Sequence, residues 1–269
     1  KKGSISAASQ KDFDDSRWEG VSIPHTWNAL DGQDGGNDYY RGEGWYRKTL
    51  AWDAAYENKR IYIEFLGAGS QAEMYVNGSS VGTHKGAYTA FRFDITDALV
   101  PGQDNVLAVK VNNANAQEIA PVLGGGPMFD FTLFGGIYRG VSLVVTDPVH
   151  ADTLDYGSSG LKLTPTNVSE KSADLNIKST IVNDSDAEKT VTVKAVLKDP
   201  DAFEELEGIT PLFDVSTMYG GSFRMATEET ITIPAGGSVV FSKDLTVQNP
   251  RLWNGKEDPY LYQVDLTVT

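Results

Sequence analysis

Apolar residues recur at every second position in segment after segment of this chain, and that period admits β-strands and little else. Ile61, Ile63 and Phe65 alternate with Tyr62 and Glu64, while Leu107, Val109 and Val111 alternate with Ala108 and Lys110. The pattern returns beyond Pro148 in Leu175, Ile177 and Ile181, in Val191, Val193, Ala195 and Leu197, and in Tyr260, Tyr262, Val264, Leu266 and Val268. Each run predicts a strand with one face buried and the other toward water. Between Met74–Val76 and Ser80–Thr83 stands Asn77-Gly78, the pair that most readily supplies the two positive φ angles of a type I′ hairpin turn. Only the first fifteen residues and 199–208 have room for a helical turn or two. The alternation of strand and helix that marks a parallel α/β protein is therefore missing. The fold class is all-β, built from antiparallel sandwiches.

A chain of 269 residues can hold two ordinary domains or one large one. A strand ends at Val145 and Asp147-Pro148 follows, where proline fixes φ and lacks the N–H that would continue a ladder. The boundary is placed there, giving domains 1–147 and 148–269. About seven short strands without a cysteine pair make the second an immunoglobulin-like sandwich lacking its disulfide. A stretch at about 201–227, mixing glutamates with Phe213, Met218, Tyr219 and Phe223, reads as an inserted loop.

Composition removes several functions. A formal charge of −14 repels nucleic acid and anionic membrane surfaces. Zero cysteines exclude disulfides, thiolate metal sites and thiol nucleophiles. There is no run of eighteen apolar residues, and Lys1 opens a polar stretch, so neither a membrane span nor an intact signal peptide is read and the start looks processed or recombinant. His25, His84 and His150 lack the close spacing of a metal site, and no nucleophile elbow or phosphate-cradling loop occurs. No cofactor, no metal and no histidine catalysis are expected. Asn77, Asn167 and Asn183 open glycosylation-like triplets, of which Asn77 is already explained by its turn.

A series of short motifs then accumulates in order: Pro24-His25-Thr26-Trp27-Asn28, Tyr39-Tyr40-Arg41-Gly42-Glu43-Gly44-Trp45-Tyr46-Arg47, Met74-Tyr75-Val76-Asn77-Gly78, Gly86-Ala87-Tyr88, Phe91-Arg92-Phe93-Asp94-Ile95-Thr96 and Gly135-Gly136-Ile137-Tyr138-Arg139. With Leu252-Trp253 and Pro259-Tyr260-Leu261-Tyr262 near the end, the whole chain resembles the amino-terminal part of glycoside hydrolase family 2, the family of β-galactosidases, β-glucuronidases and β-mannosidases. The resemblance implies a jelly-roll-like, galactose-binding-type sandwich followed by the immunoglobulin-like one, both preceding a (β/α)₈ barrel that carries the two catalytic glutamates. Such a barrel needs about 250 residues. The chain is thus expected to be a fragment without glycosidase activity of its own, whose partners in the intact enzyme are a β-glycoside and the missing barrel. An apolar face that the barrel would cover makes a homo-oligomer conceivable. Bacterial proteins of this type are often periplasmic or secreted.

The resemblance also nominates substrate-binding residues. Asp130, five positions before Gly135-Gly136-Ile137-Tyr138-Arg139, stands where β-galactosidases of the family place an aspartate that contacts substrate hydroxyls, work that suits a charged acceptor. The glycine-rich loop from Asp31 to Gly44 reaches toward the pocket in the family, and its Asn37, Arg41 and tyrosines supply donors and flat faces for a pyranose. Arg41 stands where some β-galactosidases carry a sugar-contacting asparagine. The plainer reading of Asp31, Asp34 and Asp38 is a solvated acidic turn. Trp18, Trp27, Trp45 and Tyr46 belong to the core and its edge sooner than to a sugar platform. A stand-alone carbohydrate-binding module and a purely structural adhesin-like protein remain the competing functions.

Overall fold

The computed structural model describes residues 1–31, 34–36, 38–114, 132–198 and 224–269, apart from the side chain of Arg224. These residues divide into two compact units, Lys1–Asp147 with Thr153–Ser158, and Pro148–Asp152 with Ser159–Thr269.

The first unit carries β1 (Glu43–Leu50), β2 (Arg60–Phe65), β3 (Gln71–Val76), β4 (Ser79–Lys85), β5 (Phe91–Asp94), β6 (Asn105–Asn112) and β7 (Val141–Thr146). They form two antiparallel sheets, in the orders β1-β6-β3-β4 and β5-β2-β7. The inward positions predicted from the two-residue period, Ile61, Ile63, Phe65, Leu107, Val109 and Val111, lie in the core, joined by Met74, Val76, Phe91 and Ile95. Phe65 and Phe91 stack with ring centroids 4.9 Å apart.

Two outward positions depart from the expectation, since Tyr62 and Ala108 are also buried. Both lie on strands with a neighbour on each side. Ala108 is flanked across the ladder by Arg47 and Tyr75, whose larger side chains overtop a methyl group, and the 3₁₀ turn Ser6–Ser9 packs on β6. Arg47 holds that amino-terminal segment in place. Its guanidinium donates to the carboxylate of Asp15 at 2.8 Å, to the carbonyl of Gln10 at 2.8 Å and to the carbonyl of Ala8.

The Asn77-Gly78 turn joins β3 to β4 with φ of 50° and 92°, as a type I′ turn requires. The Asn77 side chain adds long-range bonds to this local role. Its Nδ2 donates to Ala98 O at 3.0 Å and Asn105 Oδ1 at 2.7 Å, and its Oδ1 accepts from Val106 N at 3.0 Å. Asn183, which opens another glycosylation-like triplet, is fully buried with Nδ2 shared among three carbonyls.

The passage out of the first unit is not a single cut. After β8 (Val149–Ala151) the chain returns as Thr153–Ser158, because Arg92 of β5 donates through Nη1 to the carbonyls of Thr153, at 2.8 Å, and Ser158. Glu64 accepts from Arg92 Nε at 2.8 Å and balances the charge.

The second unit continues with β9 (Leu161–Thr166), β10 (Ser172–Asn183), β11 (Lys189–Lys198), β12 (Arg224–Ile233), β13 (Ser238–Gln248) and β14 (Gln263–Val268). One sheet has the order β13-β10-β8, with β9 pairing a different stretch of β10, and the other has the order β12-β11-β14. Ile177, Ile181, Val193, Ala195, Ile231, Ile233 and Phe241 fill the core between them. Most of the stretch read as an inserted loop lies outside the described residues. Its last four positions, Arg224–Thr227, are the start of β12 instead. They continue a ladder with β11, pairing Lys198 with Arg224 and Ala195 with Thr227. Tyr260 and Tyr262 likewise precede β14, and Tyr260 packs against the Arg251 guanidinium at 4.1 Å.

Asn77→Ala removes three side-chain hydrogen bonds and puts a residue that tolerates the left-handed region less well than asparagine at positive φ. We expect a loss of roughly 2–4 kcal/mol in the first unit, read as a lower urea midpoint at unchanged m. A midpoint within error of the parent would show that the turn, not its long-range bonds, carries the role of Asn77.

Candidate functional site

One end of the first unit is organised by an indole held between two glycines. His25 and Trp27 donate their backbone N–H groups to Ile137 O at 2.8 Å and Gly135 O at 3.2 Å, and Thr26 Oγ1 donates to Gly135 O at 2.8 Å. This lays Trp27 in a slot. A Cβ added at Gly44 would lie 2.3 Å from the indole, and one at Gly135 only 2.2 Å away. Tyr46 stacks on the ring at 6.4 Å and Tyr40 meets it edge-on at 6.1 Å. Gly44 and Gly135 thus leave room for Trp27, which places this tryptophan in packing. Trp45 is also buried, tilted against Tyr75 at 5.8 Å, and Trp18 meets Phe13 edge-on at 5.6 Å.

Beside the slot, Tyr46 and His25 share a hydrogen bond of 2.7 Å between Oη and Nδ1. Burial pushes the Tyr46 phenol up to about 12 and pulls the His25 imidazole below its ordinary value. Ile137 N also donates to Tyr46 Oη, at 3.4 Å. A neutral phenol and a neutral imidazole fit this pairing.

Behind Trp27 two fully buried amides, Asn28 and Asn113, face each other. Asn113 Nδ2 donates to Asn28 Oδ1 at 2.9 Å and to Leu133 O at 2.9 Å, and Asn113 Oδ1 accepts from Gly42 N at 2.9 Å. Asn28 Oδ1 accepts a second bond from Gly135 N at 2.8 Å. Asn28 Nδ2 donates to the Asp31 carboxylate at 2.9 Å and to Tyr40 O at 3.0 Å. The pair therefore ties together the 28–31 turn, the 40–42 segment, the end of β6 and the 133–135 segment.

The residues nominated from the sequence fall unevenly. Asn37 and Asp130 lie outside the described residues. Arg41 sits on the amide pair: Nε donates to the backbone carbonyl of Asn113, and the guanidinium lies over the Tyr39 ring at 5.6 Å. Tyr39 is itself fixed, its hydroxyl accepting from Leu133 N at 2.7 Å and donating to Leu133 O at 2.9 Å. Asp31 is more than an acidic turn. Besides Asn28, its carboxylate accepts from Tyr40 N at 3.0 Å, and Lys2 Nζ stands 3.9 Å away. Asp34 does close a local turn, accepting from Gly36 N at 2.9 Å. Sequence reasoning missed Asn28, Asn113 and Tyr39 as organisers. The available signal was an asparagine directly after Trp27 and the polar pair Asn112-Asn113 where the apolar period of β6 stops. Among the described residues no group of three histidine or carboxylate side chains is placed to hold a metal ion.

Residues 9–148 match the profile of glycosyl hydrolases family 2, sugar binding domain, and residues 159–269 match that of glycosyl hydrolases family 2. The chain belongs to glycosyl hydrolase family 2. A β-glucuronidase of Bacteroides fragilis is 34% identical over 92% of the chain, and a β-galactosidase of Bacteroides ovatus 35% identical over 95%. The solved structure of Bacteroides uniformis β-glucuronidase 2, covalently bound to cyclophellitol-6-carboxylate aziridine, superposes with a TM-score of 0.84 at 36% identity over 99% of the chain. The family 2 chain spans 32%, 27% and 29% of these three proteins, and corresponds to their amino-terminal portion.

Gly135→Ala drives a methyl group into Trp27, so we expect overpacking of about 1–3 kcal/mol and a lower thermal midpoint for the first unit. Gly140→Ala, whose added methyl meets only Leu66 at 3.5 Å, serves as the control. Equal midpoints for the two variants would show that the indole slot yields freely.

Proposed function

We propose that this chain is the non-catalytic amino-terminal part of a retaining family 2 hydrolase of terminal β-glycosides, most like a β-galactosidase. In this reading it buttresses a (β/α)₈ barrel and lends loops to the rim of the barrel's sugar pocket. The observation that carries it is the match of both units, over more than nine-tenths of the chain, to under a third of the length of a β-glucuronidase and a β-galactosidase. Retention requires two carboxyl groups about 5 Å apart, one as nucleophile and one as acid and base, and in this reading both belong to the barrel.

Arg41, Asn37 and Asp130 are the proposed rim residues. A guanidinium offers paired N–H donors and a carboxylate offers paired acceptors, each suited to neighbouring hydroxyls of a pyranose. The proposed role of Arg41 is supported by its fixed seat on Asn113 and Tyr39, at the root of the 31–44 loop. The sandwich's task is then positional: loops that bind are held by sheets that do not move.

The test has two parts. The isolated chain should show no turnover of 4-nitrophenyl β-galactoside or β-glucuronide, and no calorimetric binding of either sugar. Tight binding by the isolated chain would favour a stand-alone carbohydrate-binding module. In the full-length hydrolase, Asp130→Ala should lower kcat/KM by roughly ten- to hundredfold, the worth of a charge-assisted hydrogen bond of about 1.5–3 kcal/mol, with the thermal midpoint kept. Unchanged kinetics would remove Asp130 from the pocket.

A further inference from the structure

We propose that Asn113 is a positioning residue for Arg41: its backbone carbonyl receives the guanidinium that the rim presents to substrate, and its buried side-chain amide holds that carbonyl and the neighbouring Gly42 in place. The inference rests on the reading of Arg41 as a rim residue, and it deepens that reading by naming what makes the rim rigid.

The contacts of Arg41 converge on Asn113. Arg41 Nε donates to the Asn113 carbonyl. The next residue along the chain, Gly42, is bonded to Asn113 twice, through Gly42 N to Asn113 Oδ1 at 2.9 Å and Asn113 N to Gly42 O at 3.2 Å. The Tyr39 ring beneath the guanidinium is locked by Leu133, and the Leu133 carbonyl that receives the Tyr39 hydroxyl also receives Asn113 Nδ2 at 2.9 Å. Asn113 thus bounds Arg41 on three sides: at Nε, at the backbone, and through the ring it lies on. Its own orientation is not free to change, because its fully buried amide is held by Asn28 Oδ1, whose partners are specified in turn by Gly135 N.

An arginine on an unstructured loop would have to be immobilised when a sugar binds, and the lost rotamer freedom would weaken binding. Here that ordering is already complete. The guanidinium keeps Nη1 and Nη2 without a hydrogen-bond partner among the described residues, while Nε is committed. A fork anchored by its stem and open at its two tips is the geometry that donates a parallel pair of bonds to vicinal oxygens. The residue that sets the stem sets the aim of the tips.

A double-mutant cycle in the full-length hydrolase, on the 4-nitrophenyl β-glycoside it cleaves best, separates positioning from mere stabilisation. Arg41→Ala should lower kcat/KM by about tenfold or more, and Asn113→Ala by a similar factor, since a misaimed contact costs up to about a hundredfold. In the Arg41→Ala background, Asn113→Ala should then cost less than about twofold. Losses that multiply would overturn the inference while leaving Arg41 at the rim, as would full activity in Asn113→Ala beside an impaired Arg41→Ala. No effect of Arg41→Ala would instead remove the rim reading, and the inference with it. Should Asn113→Ala not fold, the same cycle with Asn113→Ser decides, because it leaves a hydroxyl in the buried site while withdrawing the amide that holds Gly42 N and the Leu133 carbonyl. Coupling to Arg41 supports the proposal, and independence overturns it.

Discussion

Burial of an amide without a partner costs about 1–3 kcal/mol, and Asn28 and Asn113 are both fully buried. The arrangement around them follows from that penalty. Each donor and acceptor must be met by backbone or side chain, and the partners that meet them come from four stretches of chain that share no local structure. Nor can the polarity be reversed. An aspartate at position 28 would turn acceptors toward the Asp31 carboxylate and the Tyr40 carbonyl, both of which now receive protons from Nδ2. A buried polar network with every member satisfied specifies one arrangement of the loops around it. That is what the end of a sandwich needs if it is to hold side chains for a pocket.

The strands were legible because a two-residue period is a local property. Ile61, Ile63 and Phe65 declare β2 without reference to any other segment, and Asn77-Gly78 declares the turn after β3 by its own backbone preference. What stayed hidden depends on distant partners. The Asn28–Asn113 bond spans 85 positions and the Thr26–Gly135 bond 109, and no window of sequence contains both ends. The burial of Ala108 on the outer face of β6 was hidden for the same reason, since the alternation there says nothing of Arg47 and Tyr75 across the ladder. The start of β12 at Arg224 could not be read from its own residues, because its boundary is set by pairing with Lys198 of β11.

Motif residues that look like candidates for stacking on sugar divide by the same logic. Trp27 invites a functional reading in isolation, yet Gly44 and Gly135 are glycines because the indole occupies the space their side chains would take. Two glycines and a tryptophan are thus one packing unit dispersed over three motifs. These motifs lie far apart in sequence, and the fold brings them into contact around one ring. For the candidate site the outcome is the reverse. Arg41 was singled out by its place in a loop, and its surroundings give it a firmer seat than its loop composition implied.

The placement of rigid and reactive parts then follows from what each can tolerate. A carboxylate or guanidinium at a sugar pocket must keep unsatisfied hydrogen-bonding capacity for the ligand, which is costly in a packed core and tolerable only at its edge. In the first unit the amides beneath are satisfied and Arg41 is left half-buried, with one of its three nitrogens committed among the described residues, as the proposed role would need. If the amides were exposed, water would compete for their bonds and the edge would lose definition. If Arg41 were buried as deeply as Asn113, its free donors would have to find protein acceptors and nothing would remain for a hydroxyl. In the role proposed for Arg41, the graded burial from Asn113 to Arg41 would let one short stretch of chain serve both the fold and a ligand.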